Sequence, residues 1–274
     1  MQTVWLSAHL FYAGDLHVLL RELVIPFLKD RGCPAFFIRY GEGGLHIRLR
    51  CQLKVSDVTG VQVALLAMEN IFEGLTVRFT DYIPEINRYG DARSIGWAER
   101  QFVASSRYVL EVLSAVPEWS TSAALIQALR MNIAMAWALE TAEEEITAIC
   151  SLFIKSWVRR LLDPSKPAGE QEMYYTGLME ARFNSYANVL LPAAGGIWHA
   201  LRNENADSSL QVFAEENKHV FRQYRGLGFD TSKMRDIVGS CMHMGHNRMG
   251  VSNLDEAYIM FFTLKCLQYV YAGG

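Results

Sequence analysis

Ala35 to Cys51 reads AFFIRYGEGGLHIRLRC. Two runs rich in aromatic and β-branched residues flank Gly41-Glu42-Gly43-Gly44, the pattern of a β-hairpin whose glycines supply the positive φ of a tight turn. Strand side chains alternate between faces, so His46, Arg48 and Arg50 share one face, while Leu45, Ile47, Leu49 and Cys51 are expected to face the core. Glu42 at the tip is the one carboxylate within the hairpin. Such a row of like charges is either a solvated or internally paired sheet face or a receptor for an anion arriving from outside. Guanidinium forks match carboxylate and phosphate geometry.

On either side the pattern extends. Residues 4–12 read as a first strand. Asp15 caps a helix running to about residue 30, with Pro26 as a point of bending. After the hairpin, Ser56 or Asp57 opens a helix to about Phe72, and Thr76 to Ile83 is strand-like again. Residues 1–94 thus read β-α-β-β-α-β, the split pattern of an antiparallel ferredoxin-like sheet. From Ile95 the periodicity is helical, with helices expected at about 95–115, 120–140, 142–162, 168–189, 194–204, 206–225, 232–247 and 253–271. Pro117, residues 163–167, Pro192 with Gly195-Gly196, and residues 226–229 are read as the breaks. The fold class is therefore α+β: a ferredoxin-like sheet with helices, then a mostly helical half (95–274), in a single domain spanning 1–274.

With 51% hydrophobic and 20% charged residues the chain is composed as a globular protein, and its net charge of −3 provides no general field for nucleic acid. Five cysteines without CxxC spacing are expected as reduced thiols in a cytoplasmic protein, and a zinc site is not expected. No signal peptide or membrane span is read. No phosphate-binding loop, dinucleotide fingerprint or nucleophile elbow occurs, and no cofactor is expected.

Two further segments carry polar groups. Tyr82 to Gly90 is a polar connection with Arg88 as its one cation, and a local contact with Glu85 is the simplest account of it. Glu99, on the next helix, is a candidate partner for the hairpin arginines. Cys241 to Arg248 places His243 and Asn247 at i, i+4 on one helix face. HxxH without a third ligand is weak as a metal motif.

Together these segments resemble the C-terminal, elimination domain of lantibiotic dehydratases, also described as the thiopeptide-type bacteriocin biosynthesis domain. The matching residues are Trp5, Phe36 to Tyr40, His46 to Arg50, Glu85 with Arg88-Tyr89-Gly90, Ala98-Glu99 with Phe102, His243-Met244, Asn247-Arg248 and Glu256. Two departures stand out: Asp91 replaces the second glycine of RYGG, and Ser105-Ser106 replaces an Asp-Ser pair. The larger glutamyl-transferring domain of full-length dehydratases is not part of this sequence, as expected for a split system.

The resemblance implies a lyase. A separate partner glutamylates Ser or Thr of a ribosomal precursor peptide from glutamyl-tRNA, and this domain eliminates glutamate to leave dehydroalanine or dehydrobutyrine. It implies Arg48, Arg50, Arg88 and His243 as catalytic residues, converging on one pocket where sheet and helices meet. Arg39, His46, Tyr89, Asn247 and Arg248 are implied as substrate-binding. The leaving group is a carboxylate bearing a second carboxylate, which suits an arginine cluster. Charge developing on a peptide carbonyl oxygen suits cationic donors. Proton transfer near neutrality falls to His243, the candidate whose ordinary pKa suits it. No direct nucleic-acid or membrane contact is expected, and self-association into a homodimer is left open. The rival readings are a pyridine synthase that joins two dehydroalanines in a formal 4+2 cycloaddition and expels the leader peptide, and a non-catalytic module that binds precursor peptide.

Overall fold

The computed structural model describes residues 2–274. Strands β1 (Thr3–Tyr12), β2 (Ala35–Tyr40), β3 (His46–Lys54) and β4 (Leu75–Thr80) form one antiparallel sheet in the order β2-β3-β1-β4. The β-α-β-β-α-β pattern is the one expected from the sequence, and the structure adds the strand order, which is that of a ferredoxin-like sheet. Gly43 and Gly44 carry the positive φ angles of the hairpin turn. Ile47, Leu49 and Cys51 are buried against the helical layer with Leu6, Ala8 and Leu10 of β1. Leu45 does not join them. It precedes the first paired residue, lies in the turn and is exposed.

The helical layer on that face consists of α1 (Leu16–Leu19), a widened turn (Leu20–Val24), α2 (Ile25–Arg31) and α3 (Val58–Ala67). Pro26 lacks the N–H that would continue a regular ladder, and the chain widens by one residue per turn just before it. β4 ends at Thr80, three residues short of the expected Ile83. The chain leaves the sheet there, bringing the Tyr82 ring to 6.1 Å from Trp5 and 5.7 Å from Phe36.

The second half is helical: α4 (Ile95–Ala115), α5 (Thr121–Ala138), α6 (Glu143–Leu161), α7 (Ala168–Asn184), α8 (Ala187–Arg202), α9 (Ser208–Gly226), α10 (Thr231–Met249) and α11 (Asn253–Tyr271). One break falls elsewhere than expected. Pro192 and Gly195-Gly196 lie inside α8, and the chain turns at Ser185-Tyr186 instead. Gly195 serves close approach: a Cβ there would sit 3.3 Å from the Gly274 backbone, so the glycine admits the C-terminus rather than ending a helix.

Side chains from the helical half close the free edge of β2, which would otherwise leave unpaired backbone groups. Asn247 accepts from the Arg39 N–H (2.9 Å) and donates to the Arg39 carbonyl (2.9 Å), imitating a strand residue. Ser106 Oγ accepts from the Phe37 N–H (3.1 Å), and Arg248 Nε donates to the Phe37 carbonyl (2.9 Å). Arg248 is fully buried and also donates to Ser105 Oγ (3.2 Å). Ser105-Ser106 therefore belongs to the seam between the two halves. No helix among the described residues is long and apolar enough to cross a membrane.

Candidate functional site

Register assembles a cationic sheet face. Arg50 lies opposite Ser7 and Phe36, Arg48 opposite His9 and Ile38, and His46 opposite Phe11 and Tyr40. Arg78 of β4 lies opposite His9 and joins the same face. His46 donates from Nδ1 to the Gly44 carbonyl (2.8 Å), since a carbonyl only accepts, and Nε2 therefore accepts from Arg48 Nε (3.2 Å). Arg48 also lies 3.4 Å from the Tyr40 ring centroid. Arg50 reaches the Arg48 carbonyl (3.3 Å) and sits near the Phe36 and Tyr82 rings, while its Nε is buried without a partner. Among the described residues neither Arg48 nor Arg50 has a carboxylate in salt-bridge contact. Glu99, expected as their partner, instead accepts from the Trp5 indole (3.0 Å) beside Tyr82.

The electrostatic consequence is visible on the neighbouring imidazoles. Burial, then the charge of Arg48, lowers the pKa of His9 to about 4. Burial and Arg39 lower His17 to about 4 as well. Burial likewise lowers the pKa of Arg50 to about 10. A histidine held neutral in the folded state but free to protonate near 6.5 in the unfolded chain makes the unfolded state bind more protons. Stability from His9 and His17 is therefore complete above about pH 6.5 and is lost as pH falls toward 4. Thermal melting at pH 7 and pH 5 should show the loss, and His17→Asn should flatten it.

The second cluster is built from three elements. Arg88 comes from the β4–α4 connection, where Nη1 donates to Glu85 (3.0 Å) and Nε to Ser240 Oγ (3.3 Å). This is the local Glu85 contact expected from the sequence. His243 comes from α10, and with Arg88 it lines a cavity of about 230 Å³ whose other walls include Trp157 of α6. Neither Arg48 nor Arg50 lines that cavity. Tyr82 and Glu85 lie between the two clusters: Arg50 sits 5.5 Å from the Tyr82 ring, and the charge of Glu85 acts on both Arg50 and Arg88.

His243 is oriented by a residue whose part the sequence did not disclose. Its Nδ1 lies 2.9 and 2.8 Å from the two carboxylate oxygens of Glu256, at the start of α11. The chain reverses between these helices through Gly250, whose left-handed φ of 78° caps α10, so the first turn of α11 folds back beside the last turns of α10. Glu256 is 1% exposed and also receives His246 Nδ1 at 3.3 Å. Burial would raise its pKa, yet the hydrogen bonds from His243 and His246 outweigh it and hold the carboxyl below its ordinary range. His246 is in turn held by Asn132, which also donates to Thr263 (3.0 Å). Donation from Nδ1 to a buried carboxylate fixes the tautomer of His243 and leaves Nε2 for the cavity. A signal for Glu256 existed in its place at the head of the last helix, but first-turn acids ordinarily serve the helix dipole in solvent.

The remaining candidates are engaged within the protein. Arg39 lies on the opposite sheet face from Arg48, donating to the Arg248 carbonyl (3.0 Å) and contacting His17 Nδ1 (3.0 Å). Tyr89 is 3% exposed and packs on Phe102. Asn247 and Arg248 hold β2 as described. Among the described residues no group of three His, Cys, Asp or Glu side chains is placed to hold a metal ion.

Residues 5–267 match the family profile described as lantibiotic biosynthesis dehydratase C-term. No curated protein sequence matches the chain. Similar solved structures include the pyridine synthase TbtD from thiomuracin biosynthesis, with TM-score 0.72 and 13% identity over 98% of this chain and 99% of that one. The tRNA-dependent lantibiotic dehydratase MibB from Microbispora sp. 107891 gives TM-score 0.60 and 20% identity, covering 96% of this chain but 27% of MibB. TsrL gives TM-score 0.65 and 13% identity over 99% and 95% of the two chains. At these identities the likeness is one of fold.

Proposed function

The chain belongs to the lantibiotic dehydratase C-terminal family, and from that premise we propose that it eliminates glutamate from glutamylated Ser or Thr residues of a ribosomally made precursor peptide. The observation that carries this reading is the Glu256–His243 pair beside Arg88 in one cavity.

In this mechanism His243 Nε2 removes the α-proton of the glutamylated residue. The electron pair moves toward the adjacent carbonyl, where Arg88 supplies the positive charge that stabilises the enolate-like oxygen. Collapse forms the Cα–Cβ double bond and breaks the Cβ–O bond, and glutamate departs with that electron pair as a carboxylate. The proton rests on His243, whose imidazolium is stabilised by the ionised Glu256 until solvent takes it. Arg48 and Arg50, with no carboxylate partner among the described residues, provide a docking face for anions next to the site, for the peptide or its glutamyl groups. Precursor peptide and a glutamylating partner follow as the substrates' sources.

A chemically pre-glutamylated peptide incubated with the protein alone tests this. Free glutamate and a dehydrated peptide are expected without tRNA or ATP, and unglutamylated peptide should be unchanged. A peptide that keeps its glutamyl groups through prolonged incubation would overturn the proposal. The second reading, a pyridine synthase, draws on the likeness of fold to TbtD. The same mass spectra separate it, because that reaction acts on dehydroalanines and detaches the leader.

A further inference from the structure

Besides His243, the cavity is lined by three arginines, Arg88, Arg160 and Arg235, and one aspartate, Asp236. Two have a carboxylate partner within the protein. Arg88 pairs with Glu85 at 3.0 Å, and Arg235 forms a two-pronged pair with Glu145 at 2.9 and 2.7 Å. Arg160 and Asp236 are left over, one of each sign, with no salt-bridge partner among the described residues. Arg160 is nevertheless held in place, its guanidinium 4.4 Å from the centroid of Trp157, whose ring is 5.9 Å from that of His243. Asp236, Ser240 and His243 stand at i, i+4 and i+7 and share one face of α10. An uncompensated cation and an uncompensated anion thus flank the imidazole.

Both charges are met by a ligand that is itself dipolar. We propose that Arg160 and Asp236 form a clamp for the leaving amino acid, Arg160 taking its free carboxylate and Asp236 its ammonium group. This rests on the glutamate-elimination reading and names how the leaving group is recognised. A volume of about 230 Å³ suits a single amino acid, with the peptide lying across the mouth. The clamp gives selectivity by charge. A dicarboxylate without an ammonium would set an anion against Asp236, and an amino acid whose single carboxylate lies where the ester forms would leave Arg160 unused.

Titration calorimetry on the full chain with L-glutamate, glutarate and 2-aminobutyrate tests the clamp. The wild type is expected to prefer L-glutamate over either analogue by about tenfold to a hundredfold, the worth of one charged hydrogen bond. Asp236→Asn should erase the preference over glutarate, and Arg160→Gln the preference over 2-aminobutyrate. Both side chains are exposed at the rim, so neither change should unfold the protein, and thermal melting checks this. A wild type without that preference, or variants that bind all three probes as the wild type does, overturns the clamp. Elimination from pre-glutamylated peptide is measured in parallel. Glutamate release by the wild type with unaltered probe binding in the variants sinks the clamp alone, whereas selective glutamate binding without release sinks the elimination reading alone.

Discussion

Replacing His243 by alanine is expected to slow glutamate elimination about a hundredfold to ten-thousandfold, the range contributed by a positioned proton-transfer group. Glutamylated peptide should accumulate, each retained glutamate visible as a fixed mass increment, while binding of the glutamylated peptide is largely kept because Arg88 and the sheet-face arginines remain. Fold disruption is not the expected cause, since His243 is partly exposed and, among the described residues, its polar partner is Glu256. That partner is then left buried with His246 as its remaining side-chain donor among the described residues, so a modest loss of melting temperature should accompany the kinetic effect. Glu256→Gln provides a complementary measurement. It keeps the size but removes the charge that stabilises the imidazolium, so kcat should fall with KM little changed. Full dehydration by the His243→Ala variant at the wild-type rate would reduce His243 to a structural residue.

Gly90→Ala is expected to be the most destabilising single substitution near the site. The backbone there has φ 116°, where an L side chain is strained. A Cβ would fall 2.3 Å from Ser94 Oγ and 2.7 Å from Phe229. Ser94 cannot simply rotate away, because its hydroxyl is tied to the Tyr89 carbonyl and the Asp91 backbone. Strain of roughly 1–3 kcal/mol and overpacking of roughly 1–3 kcal/mol add to a cost of about 2–6 kcal/mol, readable as a lower denaturation midpoint. Asp91→Gly, which restores the family's second glycine, should have a far smaller effect. Asp91 is not among the positive-φ residues, and its carboxylate binds chiefly the exposed Arg93. A Gly90→Ala protein of wild-type stability would show that the loop relaxes freely, and the rigid placement of Arg88 would no longer follow from it.

Local periodicity is enough for much of the architecture. Alternation in residues 46–51 assigns Ile47, Leu49 and Cys51 to the core and His46, Arg48 and Arg50 to the other face, because neighbouring side chains of a strand must diverge. The order of strands and helices with a Gly-rich hairpin turn leads to the ferredoxin-like sheet. Leu45 shows the limit of such a pattern, since alternation has no force outside the paired segment. Pro192 and Gly195 show another: both have the character of breakers, but α8 retains them where the C-terminus packs against it.

What the sequence by itself determined, then, is each strand's inward and outward face and nearly every helix, because these depend on neighbours a few residues away. Which polar groups meet was decided only in three dimensions. Glu256 reaches His243 because Gly250 reverses the chain, and Asn247 meets Arg39 across 208 residues as the cap of a sheet edge. Arg88 shares a cavity with His243, while Arg48 and Arg50 stay on the sheet face beyond Tyr82. Hydrogen bonds and charge pairs act over a few ångströms, and only the packing of α10, α11 and the β4–α4 connection against the sheet brings these groups within that range.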